Sequence, residues 1–113
     1  MSASDHTRQE MKRRLRAAAF ARRAFPRGGY RGLGAAELQL LGELVVNGEL
    51  TIPTLAEALA LDRSTLTHAS NELARQGLIR SHSDPDDRRR VRLAAAAAGR
   101  RLIERYVAEH DPR

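Results

Sequence analysis

Residues 53–93 read PTLAEALALDRSTLTHASNELARQGLIRSHSDPDDRRRVRL, and the fold turns on how they are divided. Pro53 suits the first turn of a helix, where a backbone N–H has no intrahelical partner in any case. A helix is therefore expected from about Pro53 to Ala60, with Leu55, Ala58 and Leu59 as its apolar stripe. Leu61-Asp62-Arg63 reads as a tight turn. A further helix is expected from about Ser64 to Gln76, with Leu66, Ala69, Leu73 and Ala74 turned inward. Gly77 stands where helices commonly end on a left-handed residue. Leu78, Ile79 and Arg80 open a strand, Asp84 to Arg88 make a loop, and Arg90 to Ala95 return as a second strand.

On the N-terminal side, Ser4 and Asp5 are suited to cap a helix reaching about Phe25, with Met11, Leu15, Ala18 and Ala19 at helical spacing. Pro26 stops it, and PRGGYRGLG is a turn-rich connection. A helix from about Ala35 to Val46 follows, with Leu38, Leu41, Leu44 and Val45 on its apolar face. Asn47-Gly48 ends it, and Leu50 and Thr51 form a short extended piece. On the C-terminal side, Gly99 breaks the pattern. A last helix from Arg100 to about His110 carries Leu102, Ile103, Tyr106 and Val107. The whole is a mainly α fold with a small β-hairpin. Two helices across a tight turn, followed by a hairpin, describe a winged helix-turn-helix with flanking N- and C-terminal helices. The chain divides into a basic helix and linker over 1–32, the winged core over 33–98 and a short C-terminal helix over 99–113.

The 113 residues allow one domain with a modest core, and 42% hydrophobic content fits a folded chain. Cysteine is absent, which removes disulfides and thiolate metal sites. No apolar run approaches the roughly 20 residues that span a bilayer, and the N-terminal stretch lacks an apolar signal core, so a cytoplasmic location is expected. The net charge is +6. It is unevenly placed: nine basic residues and two acids give +7 over residues 1–32, and the rest of the chain carries −1. Such a basic arm suits nucleic acid or an anionic membrane surface. Its apolar face is rich in alanine rather than in Trp or Leu, which argues against membrane anchoring.

With Leu66, Ala69 and Leu73 inward, Arg63, Ser64, Thr65, Thr67, His68 and Asn71 fall on the outer or leading face of their helix. A helix face serving only solubility is usually built from Lys and Glu. These residues instead suit base edges and phosphates: Asn71 can bond adenine N6 and N7 together, and Thr67 can touch a thymine methyl. The four histidines are scattered without metal-ligand spacing. No nucleophile–base order, phosphate loop or paired-carboxylate site points to catalysis, so an enzyme is not expected and no cofactor is implied. Glu37, Glu43, Glu49 and Glu57 read as solvated helix faces.

Over about Leu33 to Tyr106 the chain resembles the DNA-binding core of the MarR (multiple antibiotic resistance regulator) transcription factors. Three parts carry the resemblance in order: LAEALALDRST, LARQGLIR and DPDDRRRVRL followed by Gly99. The resemblance implies a sequence-specific regulator of double-stranded DNA, with the 64–76 helix in the major groove and the wing in the minor groove. MarR-like wings resemble D-x-R-x-V at the tip, which maps onto Asp87-Arg88-Arg89-Arg90-Val91. The minor-groove arginine falls on Arg89, its orienting aspartate on Asp87, with Arg88 and Arg90 beside them. Asp84 and Asp86 read as turn formers. The chain departs from the pattern in two places. An alanine run, Ala94 to Ala98, stands where the family has a threonine, and the last helix ends near His110 where the family continues into a further helix. A single winged helix reads few base pairs, so a homodimer on a pseudo-palindromic operator is expected, built on apolar faces of the first and last helices that are too large to be left bare. Met11, Leu15 and Ala18 of the first helix and Leu102, Ile103 and Tyr106 of the last are its expected contacts. A small-molecule effector is compatible with the family but has no residue pattern behind it here. The contrasting reading is a winged-helix protein-interaction module docked on a larger partner.

Overall fold

The computed structural model describes Gln9 and residues 29–110. The expected first helix, with Met11, Leu15 and Ala18, lies outside these residues apart from Gln9. The described residues form four helices beyond Gln9 and three strands: α1 (Ala35–Asn47), β1 (Leu50–Thr51), α2 (Ile52–Leu59), α3 (Arg63–Arg75), β2 (Ile79–Ser83), β3 (Val91–Ala95) and α4 (Ala97–His110). The mainly helical fold with a small antiparallel sheet is the expected winged helix-turn-helix.

Helix α1 is more central than a one-sided stripe predicts. Leu40 and Val46 are buried together with Leu38, Leu41, Leu44 and Val45. A helix buried around most of its circumference sits inside the packing, not on its edge. In α2 only Leu55 is fully buried. Ala56 and Leu59 pack partly against the core, whereas Ala58 is exposed, contrary to its expected inward place. The i, i+1, i+4 stripe of Leu55, Ala56 and Leu59 is enough for a helix this short. Burying one leucine contributes about 1.5–3 kcal/mol, so Leu55 largely fixes how α2 seats.

The turn between α2 and α3 begins at Ala60, which adopts a left-handed conformation (φ 54°) and whose N–H bonds back to the end of α2. In α3, Leu66, Ala69 and Leu73 are buried as expected, but Ala74 is exposed and Ser70 takes the inner position. Its hydroxyl donates to the Thr67 carbonyl at 2.9 Å, which satisfies a buried polar atom. The helix closes through Gly77 (φ 74°), with Leu78 N–H bonded to the Leu73 carbonyl.

The hairpin is part of a three-stranded sheet of order β1-β3-β2. Strand β3 is central: Leu93 faces Leu50 on one side and Ser81 on the other, and Arg92 lies between Thr51 and His82. The extended piece at Leu50-Thr51 is thus the strand that joins the wing to the front of α2. The alanine run changes state at Ala96, whose N–H bonds to the Leu78 carbonyl. Helix α4 begins directly after it, so Gly99 lies inside the helix and does not break it. Alanine is the best helix former, which draws the start back from the expected Arg100. Gly99 is buried against the backbone of Leu78: a Cβ there would stand 2.2 Å from the Leu78 carbonyl oxygen.

Ile103, Tyr106 and Val107 are buried within the chain's own core, where the Tyr106 ring meets Tyr30 edge-on at 5.1 Å. The expected bare apolar face on the last helix is therefore corrected. These side chains are consumed inside one chain, and Leu102 remains as a half-buried residue on that helix. Tyr30 also donates to Glu109 at 2.8 Å, and Arg31 pairs with the same carboxylate, tying the linker to the end of α4.

Candidate nucleic-acid interface

The face built by α3 starts at its cap. Asp62 accepts from the Thr65 N–H at 2.7 Å and from the Thr65 hydroxyl at 2.9 Å. The backbone hydrogen bond first, and the hydroxyl second, hold the Asp62 carboxyl below the usual carboxylate range. Thr65, expected on the interface, is half-buried and committed to this cap. Arg63, Ser64, Thr67, His68 and Asn71 are exposed and line one open cleft together. Beyond them Glu72 accepts from Arg75 and Gln76, and these bonds, that of Arg75 foremost, push its carboxyl down to about 2.

A second cleft of about 540 Å³ joins α3 to the wing. Arg63 and Thr67 line it from the helix, Asp87, Arg89, Arg90 and Val91 from the hairpin, and Ile52 and Pro53 from the start of α2. Because Arg63 and Thr67 border both clefts, helix and wing present one continuous surface. Arg88 is exposed at the tip but lines neither cleft.

At the tip, Asp87 Oδ1 accepts from the Arg89 backbone N–H at 3.0 Å and from Arg89 Nε at 3.2 Å, while Arg89 Nη2 approaches Oδ2 at 3.5 Å. The Arg89 side chain is nevertheless 92% exposed, so a guanidinium paired with its own aspartate stands out from the protein. These bonds, the side-chain ones first, lower the Asp87 carboxyl.

Below the tip lies an arrangement the sequence did not announce. Asp84 is 3% exposed and accepts from the Asp86 N–H at 2.8 Å, the local turn expected of it. Its other oxygen accepts from Arg92 Nε at 3.1 Å across the hairpin. The backbone bond from Asp86 leads in holding its carboxyl low, with Arg92 adding to it. Asp86, also expected as a turn former, supplies only its N–H to this turn. Glu49, expected as solvated, pairs with His82 of β2. The Asp62 cap lies within the stretch read as a tight turn, and the D-x-x-T spacing is the signal that could have found it; the Asp84–Arg92 pair becomes visible only once the strand register is known.

Among the described residues no group of three or more His, Cys, Asp or Glu is placed to hold a metal ion. No helix among them is long and apolar enough to cross a membrane.

A family model described as the MarR family matches residues 31–90. No curated protein sequence matches the chain. Many solved structures share its fold. The YusO protein from Bacillus subtilis is 20% identical with a TM-score of 0.67, over 96% of this chain and 70% of that one. The S. aureus MepR–DNA complex gives 22% identity and a TM-score of 0.64, over 88% and 75%. A probable transcriptional regulator from Pseudomonas aeruginosa gives 26% identity and a TM-score of 0.66, over 88% and 71%.

Proposed function

The chain belongs to the MarR family of DNA-binding transcriptional regulators, which are not enzymes, and from that premise we propose that it reads double-stranded DNA with α3 in the major groove and Arg89 in the minor groove. The observation that carries this reading is the continuous face joining the exposed polar side of α3 to a wing arginine already held by its own aspartate. Asn71 and Thr67 meet base edges. Arg63, Ser64 and His68 meet phosphates at the leading end, and Thr65 acts through the cap. Arg88 and Arg90 flank the minor-groove arginine. Ordering a long arginine costs side-chain entropy, and the Asp87 bonds remove part of that cost before DNA arrives. Narrow A·T-rich minor grooves attract such a group.

A single winged helix spans few base pairs, so useful specificity calls for two copies on a pseudo-palindromic operator. Homodimerisation then falls to the helix expected over the N-terminal arm, with Met11, Leu15 and Ala18, and to Leu102. Ile103 and Tyr106 support that contact from the core.

The test uses duplexes selected by the chain from a random-sequence pool. Arg89→Ala is expected to weaken binding most on sites flanked by A·T pairs. Asp87→Ala is expected to weaken it too, although it removes a negative charge beside DNA. Tighter binding by the Asp87 variant would show that the carboxylate only repels phosphate, and the orienting role would fall.

A further inference from the structure

The wing arginine is held by Asp87, and Asp87 is itself held. The Asp87 N–H donates to the Asp84 carbonyl at 3.3 Å, and the Asp87 carbonyl accepts from the Arg90 N–H at 2.9 Å. The Asp84 N–H donates to the Arg90 carbonyl at 2.8 Å, and its carboxylate takes the Asp86 N–H. Asp84 therefore bonds the tip on both sides of Asp87-Arg88-Arg89. Its remaining oxygen is fixed by Arg92, in the central strand between Thr51 and His82. The side chain of Asp84 is 3% exposed and that of Arg92 34%, so the pair sits at the root of the hairpin while Arg89 stands free of it. A charged hydrogen bond shielded in this way is stronger than one in open water.

We infer that Asp84 and Arg92 are positioning residues for DNA reading: they set the backbone of the wing tip so that Asp87 aims Arg89, without touching DNA themselves. The inference rests on the reading of Arg89 as the minor-groove residue. It also separates from simple charge effects. Losing Asp84 removes a negative charge and losing Arg92 removes a positive one, so charge counting gives the two changes opposite signs. Positioning gives them the same sign.

The experiment measures affinity for the site selected by the wild-type chain, carried in duplexes with all-A·T or all-G·C flanks. Asp84→Ala and Arg92→Gln are each expected to weaken binding to the A·T-flanked duplex by about tenfold, a coupling of ordinary size for residues in one network. On the G·C-flanked duplex both losses should be smaller. In an Arg89→Ala background, neither change should weaken binding further, because the group they aim is gone. Thermal melts run alongside show whether each variant is folded. Should Asp84→Ala fail to fold, Arg92→Gln carries the same comparison from the exposed end of the pair. Losses that add in full to that of Arg89→Ala overturn the inference and leave the DNA reading intact, as does tighter binding by Asp84→Ala. Arg89→Ala that binds both duplexes like the wild type removes the DNA reading of the wing, and the inference with it.

Discussion

Asn71 is exposed on α3 and shares its cleft with Arg63, Thr67 and His68. Asn71→Ala is expected to relax preference at one base pair by roughly 1–3 kcal/mol while leaving affinity for random duplex nearly unchanged. Competition binding with single-base variants of the selected site measures this. Equal loss on specific and random DNA would show a backbone contact only. At this scale the resemblance of the wing supplied the Asp87–Arg89 pair, whereas the Asp62–Thr65 cap, three residues apart, was not read. Asp87 and Arg89 stand two residues apart, and a tight tip leaves them little choice but to meet. Asp84 and Arg92 stand eight apart, and only the hairpin register brings them together. Thr65, placed on the leading face by the outward period of α3, is half-buried in the first turn, where capping competes for the same hydroxyl.

Helix α4 illustrates what element-scale reading misses. A glycine in a helical pattern usually marks an end, yet Gly99 lies within α4 because only a bare Cα fits against Leu78. Gly99→Ala is expected to destabilise the fold by about 3 kcal/mol, since a backbone carbonyl cannot step aside as a side chain can. Urea unfolding checks the value, and an unchanged midpoint would refute the close approach. The same limit applies to β1: two residues are too few for a periodic signal, and their pairing with β3 comes from tertiary packing. The buried stripes of α1 and α3, by contrast, were legible from helical spacing, because Leu38, Leu41, Leu66 and Leu73 are large and regularly placed. Helix α3 also carries a pH signature. The Asp62 and Glu72 carboxyls are both lowered by folding, Glu72 to about 2. Stability from such groups is fully present above their unfolded values near 4 and is lost as pH falls through the folded ones. The melting temperature should therefore fall between about pH 4 and pH 2, and Glu72→Gln should flatten part of that fall. The effect is modest, because the Glu72–Arg75 pair is open to solvent. A Glu72→Gln profile parallel to the wild type, followed by circular dichroism, would count against this assignment.

For the whole molecule, charge is the dominant long-range feature. The +7 over residues 1–32 and the arginines of the wing can neutralise several phosphates. With Z such contacts, log K should fall against log salt with a slope of about −0.9Z on duplex DNA. Neutralising Arg88 or Arg90 should make that slope shallower by about one unit each. Titrations at several salt concentrations test both statements, and tight binding with a flat profile would contradict them. The architecture that carries this charge was visible in the order of the elements, whereas the fate of the last helix was not. An apolar stripe looks the same in sequence whether its partner is another chain or its own, and here Ile103, Tyr106 and Val107 are buried at home.

Strand β1 carries one more consequence, a mechanical one. It runs directly into α2 and pairs with the central wing strand, and Glu49 just ahead of it grips His82 on the far strand. Helix and wing are thus bolted to a common plate and cannot be re-aimed separately without breaking the sheet. A signal that switches such a surface off has no hinge to work on inside it. In the homodimer proposed above, its economical lever is the distance and tilt between two such plates, where a small rotation would take both proposed pairs of reading elements out of step with the helical repeat of DNA at once.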